Sequence, residues 1–210
     1  GVPSNPFYNA AQPRSARSRV WAMGLRNPFR TTLRPGTGRG DPALGDPGSV
    51  YIGDVGWYSW EELSVAKGPG ANLGWPAFEG LKEFWGYYRI NVSNLDAPNP
   101  LFGTTPPGQG FCNQQYFYFR DLIVQETLNP LSFPNPCDPN QQIPVTVDRF
   151  EHTRPPIDWG HGGPSRTGIF NGAIADVINL DDPGSPVPGP WFPGNSSTGG
   201  AWYTGSNFPV

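Results

Sequence analysis

Apolar and polar positions alternate along this chain in short runs, and nearly every run is bounded by Gly or Pro. That is the pattern of brief strands separated by turns. The runs are Ser18-Arg19-Val20-Trp21-Ala22, Ser49-Val50-Tyr51-Ile52-Gly53-Asp54, Glu61-Glu62-Leu63-Ser64-Val65-Ala66, Val145-Thr146-Val147, Gly168-Ile169-Phe170 and Ala201-Trp202-Tyr203-Thr204. Arg34-Pro35-Gly36-Thr37-Gly38 and Lys67-Gly68-Pro69-Gly70-Ala71-Asn72 have turn chemistry. Helical periodicity is nearly absent. Asp121 to Leu128, ended by Asn129-Pro130, is the best helix candidate. Many short strands with Gly and Pro turns predict an all-β barrel, sandwich or propeller.

Composition tests that reading. The 210 residues include 28 Gly and 27 Pro, a fraction that by itself suggests disorder. The 8 Trp, 8 Tyr and 13 Phe argue the other way, because each buried aromatic removes about 150–250 Å² from water. The chain therefore reads as folded and loop-rich. Three Pro-rich stretches, 97–112, 129–144 and 181–200, read as insertions on a β scaffold within one compositional unit. The net charge is −3 and no basic stripe appears, so nucleic acid is not an expected partner. Arginines are concentrated between Arg14 and Arg39, and Arg suits bidentate recognition of carboxylates. No apolar run approaches the ~20 residues of a membrane span. Cys112 and Cys137 permit one disulfide or two buried thiols, and Asn91-Val92-Ser93 and Asn195-Ser196-Ser197 are two glycosylation sequons.

Residues 20–80 hold a more specific signal. Val20-Trp21-Ala22-Met23-Gly24-Leu25-Arg26-Asn27-Pro28-Phe29-Arg30 is followed by Tyr51-Ile52-Gly53-Asp54-Val55-Gly56 and Trp60-Glu61-Glu62-Leu63. Then come Asn72-Leu73-Gly74-Trp75-Pro76 and Phe78-Glu79-Gly80. This order and spacing resembles the glucose/sorbosone dehydrogenase family, the soluble quinoprotein sugar dehydrogenases. Gly199-Gly200-Ala201-Trp202-Tyr203-Thr204-Gly205 with Phe208-Pro209 looks like a later family element. The resemblance implies a six-bladed β-propeller that uses pyrroloquinoline quinone (PQQ) and calcium to oxidise a sugar or other small carbohydrate. At about 40–50 residues per blade, the chain would supply three or four blades. It would then be a partial propeller with its N- and C-terminal blades missing, in a secreted, extracellular or periplasmic protein. Its partner would be the remainder of its own propeller chain or an extracellular protein.

By the same resemblance, Arg26 and Asn27 would contact the quinone cofactor. Arg26 has the donor fork that a tricarboxylate needs. The main-chain carbonyls of Gly56 and Trp57 would hold calcium, a hard cation that takes oxygen ligands. Asp54 otherwise reads as a turn brace. Glu61 and Glu62 should face opposite sides of a strand, with one of them paired to an arginine. Trp75 reads as core filler beside the permissive Gly74. Neither His152 nor His161 matches the family's catalytic histidine, so no catalytic residue is expected within this segment. Phe29 and Thr204 depart from the family, which carries Gln and Lys at those places. These departures favour a second reading, a non-catalytic extracellular binding or surface-assembly propeller.

Overall fold

The computed structural model describes residue 1 and residues 3–207. Among them, the first elements in chain order are a single helical turn α1 (Ala16–Arg19), β1 (Ala22–Met23), β2 (Pro28–Leu33), β3 (Val50–Asp54) and β4 (Trp60–Ala66). Next come β5 (Ala71–Asn72), β6 (Phe78–Glu79), β7 (Lys82–Glu83), a second short helix α2 (Trp85–Tyr88), β8 (Ser93–Pro98) and β9 (Tyr116–Tyr118). The remainder are β10 (Ile123–Val124), β11 (Pro134–Asn135), β12 (Asp138–Gln142), β13 (Phe150–Glu151), β14 (Ile157–Gly160), β15 (Ser165–Asn171) and β16 (Ile174–Asn179). The fold is all-β in character.

One six-stranded antiparallel sheet, in the order β16-β15-β14-β4-β3-β2, organises the chain. Residues 67–156 leave it after β4, and the chain returns at β14. The other strands form two-stranded pairs. No closed barrel or propeller forms among the described residues, so the expected three or four blades are not seen. The structure instead devotes much of its length to covering one large sheet.

Each face of that sheet has its own cover. On one face Ile52 and Ala66 pack with Leu73, Trp21 and Leu25. On the other face, residues 192–202 run across the strands as a strap. Phe192 N–H donates to Ser165 Oγ at 3.0 Å, and Gly194 N–H reaches the Gly160 carbonyl at 3.4 Å. Ser197 is buried against β4, and Trp202 meets Tyr51 edge-on at 4.8 Å. Glycine is required where the strap crosses β3. A Cβ on Gly53 would lie 2.2 Å from the Gly199 nitrogen, and Gly199 itself has φ +83°. The stretch 181–200 is therefore partly a structural strap rather than only an insertion. A satellite core of Ala97, Phe117, Leu122, Phe133 and Ile143 lies under residues 93–147.

Several sequence expectations change. Of Ser18 to Ala22 only Ala22 lies in a strand: Ser15 accepts the Ser18 N–H, and two residues separate α1 from β1. The strand β2 is an addition, with most of its side chains exposed at the sheet edge, so its sequence has no buried alternation to read. Asp121 does not start a helix. Its carboxylate accepts Tyr118 N–H at 2.8 Å and Gln114 Nε2 at 2.6 Å, which closes a short 3-10 turn. The β-branched Ile123-Val124 then enters β10. Val145 to Val147 is a turn closed by Val147 N–H to the Pro144 carbonyl. Residues 201–204 form no ladder, and Phe208-Pro209 of the late motif lie outside the described residues.

Cys112 and Cys137 are bonded, joining the approach to β9 with the β11–β12 hairpin. Closing a loop of 25 residues by the chain-entropy relation contributes about 3.5 kcal/mol. Replacing both cysteines with Ser should lower the free energy of unfolding by about that amount in chemical denaturation.

Candidate functional site

β1 ends at Met23, and Gly24 with φ +73° turns the chain so that Arg26 and Asn27 lie beside the end of β3. Asp54 fixes that turn. Its Oδ2 accepts the Arg26 N–H at 2.9 Å, and its Oδ1 accepts the Asn27 N–H at 2.7 Å. The Val55 N–H returns a bond to the Asn27 carbonyl at 3.1 Å. Asp54 is thus the turn brace its position suggests. The Arg26 side chain reaches over the β3–β4 turn, where Nη1 donates to the carbonyls of Gly56 (2.7 Å) and Val55 (3.1 Å). Its guanidinium also lies 5.3 Å from the Trp57 ring centre. The structure therefore brings Arg26, Asn27, Gly56 and Trp57 together at one end of the sheet.

The chemistry there differs from a cation site. The Gly56 carbonyl already accepts from Arg26, so a calcium ion on that oxygen would face a guanidinium at close range. The nearby carboxylates each commit one oxygen to backbone N–H groups. Glu79 Oε1 accepts from Trp57 (2.6 Å), Tyr58 (2.7 Å) and Ser59 (3.3 Å). Glu61 Oε2 accepts from Gly56 (3.2 Å) and Ser197 (2.7 Å). Among the described residues no group of three or more His, Cys, Asp or Glu side chains could hold a metal ion. These residues do not fit a calcium ion. Asn27 is exposed, and its bond to Asp54 uses only its backbone.

Glu61 and Glu62 do face opposite sides of β4, but neither pairs with arginine. Glu61, fully buried, meets His161 Nε2 at 2.7 Å and ties that loop and the strap to the β3–β4 turn. Glu62 lies on the other face in a row that sequence inspection could not show. Direct cross-strand partners share a face, and the register pairs Asp54 with Glu62, Glu62 with Asp158, and Asp158 with Arg166. All three carboxylates are buried. Asp158 is held by Arg166 through bonds of 3.0 and 2.6 Å and by the Leu81 N–H at 2.9 Å. Glu62 has only Ser64 Oγ at 3.1 Å and the Gly80 N–H at 3.4 Å. Burial first, and the charges of Asp54 and Asp158 after it, push its carboxyl up to about 8. Burial also raises Asp54 and Asp158, against the donors that hold them.

His152 is the opposite case. It is buried, stacked on Phe78 at 4.1 Å, and its Nδ1 meets Gln125 Oε1 at 2.9 Å. Burial, with Arg154 nearby, holds it down at about 3. Gly74 leaves it room, since a Cβ there would lie 2.7 Å from the imidazole. Trp75, expected in the core, is half-buried. It sits between Trp57 (5.7 Å) and Phe84 (5.5 Å) in a stack of three rings. Phe29 is exposed on the edge strand with Arg30 over its ring, and Thr204 is exposed.

Comparison with family models, with curated proteins and with solved structures returns no match.

The two most strongly shifted groups, Glu62 and His152, bound the pH range of stability. Glu62 binds its proton more tightly folded than unfolded, so it favours the fold below about 4.5, and that contribution is lost as pH rises to about 8. His152 binds its proton less tightly folded, so its contribution is lost as pH falls from 6.5 toward about 3. In Glu62→Gln the decline of stability between pH 5 and 8 should flatten while the acid limb remains. Urea denaturation at a series of pH values measures both limbs.

Proposed function

We propose that the chain is a segment of an extracellular β-propeller resembling the glucose/sorbosone dehydrogenases, acting as a non-catalytic binding or surface-assembly module. One observation carries this reading: Arg26, the residue the resemblance assigns to the quinone, and Gly56, the one it assigns to calcium, satisfy each other. A guanidinium that caps two carbonyls and lies against Trp57 braces the β3–β4 turn. The consecutive antiparallel strands β2-β3-β4 support the propeller part, because a blade is a meander of antiparallel strands, although here they belong to a six-stranded sheet. The surface supports the need for a partner. The accessible area is 12268 Å², against about 9,600 Å² for a compact monomer of this mass. The remainder of a propeller or an extracellular partner would cover such a surplus. The Cys112–Cys137 bond supports an oxidising compartment, whether secreted, extracellular or periplasmic. No helix among the described residues is long and apolar enough to cross a membrane.

The second reading is a PQQ- and calcium-dependent sugar dehydrogenase. It is favoured by the meeting of Arg26, Asn27, Gly56 and Trp57 in one place. Calorimetric titration with PQQ, with and without calcium chloride, separates the two readings when combined with a glucose-driven dye-reduction assay. The binding-module reading expects no calcium-dependent PQQ uptake and no glucose-dependent dye reduction. It also expects Arg26→Ala to lower the thermal midpoint, since two carbonyls lose their donor. Dye reduction that requires sugar, PQQ and calcium together would establish the enzyme instead.

A further inference from the structure

Beside the β3–β4 turn lies a cleft of about 520 Å³ whose walls include Trp57, Tyr58, Trp60, Phe84 and Trp85. Three of these rings are strongly exposed: Trp57 at 60%, Tyr58 at 75% and Trp85 at 65%. Water-facing aromatics so close together are costly unless something covers them. The polar groups show what that ligand would be. Glu79 also lines the cleft, although the residue is only 3% exposed. Its Oε1 is anchored by the three successive N–H groups of Trp57, Tyr58 and Ser59. No hydrogen bond within the described residues engages its Oε2. A carboxylate is thus fixed in place with one oxygen left over, in an open cleft lined by aromatic rings. Glu83 adds a second acidic group to the lining; of the basic groups nearby, Lys82 is drawn toward Asp176 at 3.2 Å, and the Arg26 and Arg89 guanidiniums lie over the Trp57 and Trp85 rings.

We propose that this cleft binds an organic cation, an alkylated or quaternary ammonium group seated among Trp57, Tyr58 and Trp85 over the Glu79 carboxylate. Aromatic faces attract cations through their quadrupole, and the attraction grows when the site excludes water. The rings of this region already behave so toward the chain's own cations. Arg89 lies 4.3 Å from the centre of Trp85, and Arg166 lies 3.2 Å from that of Trp60. A methylated ammonium has no need of the directional hydrogen bonds that a sugar demands. Apart from Glu79 and Glu83, the lining is rich in ring carbon. The cleft is larger than a single ammonium head, so the ligand would carry a chain or a second group.

The test is a tryptophan-fluorescence and calorimetric titration with choline and tetramethylammonium chloride at constant ionic strength. The neutral control is 3,3-dimethylbutan-1-ol, which has the shape of choline without its charge. Choline should bind at least tenfold more tightly than the alcohol. Glu79→Gln keeps an oxygen for the three N–H groups but puts an amide in place of the free oxygen, and it should remove most of that preference. Trp85→Leu and Tyr58→Ala, at exposed positions, should each weaken choline at least fivefold while the circular dichroism stays unchanged. Equal binding of choline and the alcohol, or no binding of either ammonium salt by folded protein, would overturn the proposal. So would tight binding of glucose in the same titration without any response to choline.

Discussion

The central sheet of this chain buries carboxylates, and each one must find donors away from water. That constraint shapes everything around it. A carboxylate buried without partners costs several kcal/mol, so the fold brings backbone N–H groups to it instead. Asp54 draws in the Arg26-Asn27 turn and Glu61 draws in Gly56 and the strap at Ser197, while Glu79, on the neighbouring β6–β7 pair, draws in residues 57–59. Asp158 recruits Arg166 and the Leu81 N–H. The loops of a chain so rich in Gly and Pro have little regular structure to hold them. The buried acids supply the fixed points that ladders and helices supply elsewhere.

Glu62 marks the limit of this arrangement. It stands between Asp54 and Asp158 on one row, and Arg166 is committed to Asp158. With too few donors for three anions, the central one retains its proton at neutral pH. The same economy of donors accounts for the Arg26 geometry. A guanidinium that closes the β3–β4 turn is fully useful to the fold without a cofactor, and it leaves the aromatic cleft beyond Trp57 as the most distinctive open surface at that end of the sheet.

The sequence was informative for β3 and β4, where both faces are buried, but it did not mark β14, the central strand at Ile157–Gly160. The runs at 49–54 and 61–66 read correctly as strands, and Asp54 was legible as a turn brace from its place at a strand end. Edge strand β2 was not legible, because exposed residues carry no alternation. The helix expected at 121–128 failed because Asp121 closes a 3-10 turn and the β-branched pair after it prefers a strand. Glu79 stood in the Phe78-Glu79-Gly80 motif, but nothing in that motif showed what its carboxylate would hold. Its role depends on three N–H groups some twenty residues away, and only the fold brings them there.

The amino-acid sequence by itself determined the strand-and-turn character of the chain, its aromatic capital and its lack of long helices, because these follow from local periodicity and from backbone preferences of Gly and Pro. Tertiary structure alone decided the pairing of Cys112 with Cys137, the row of Asp54, Glu62, Asp158 and Arg166, and the strap over the sheet. Register and crossing are non-local. They are set by which buried charges and faces must be satisfied together, and no window of sequence contains both partners.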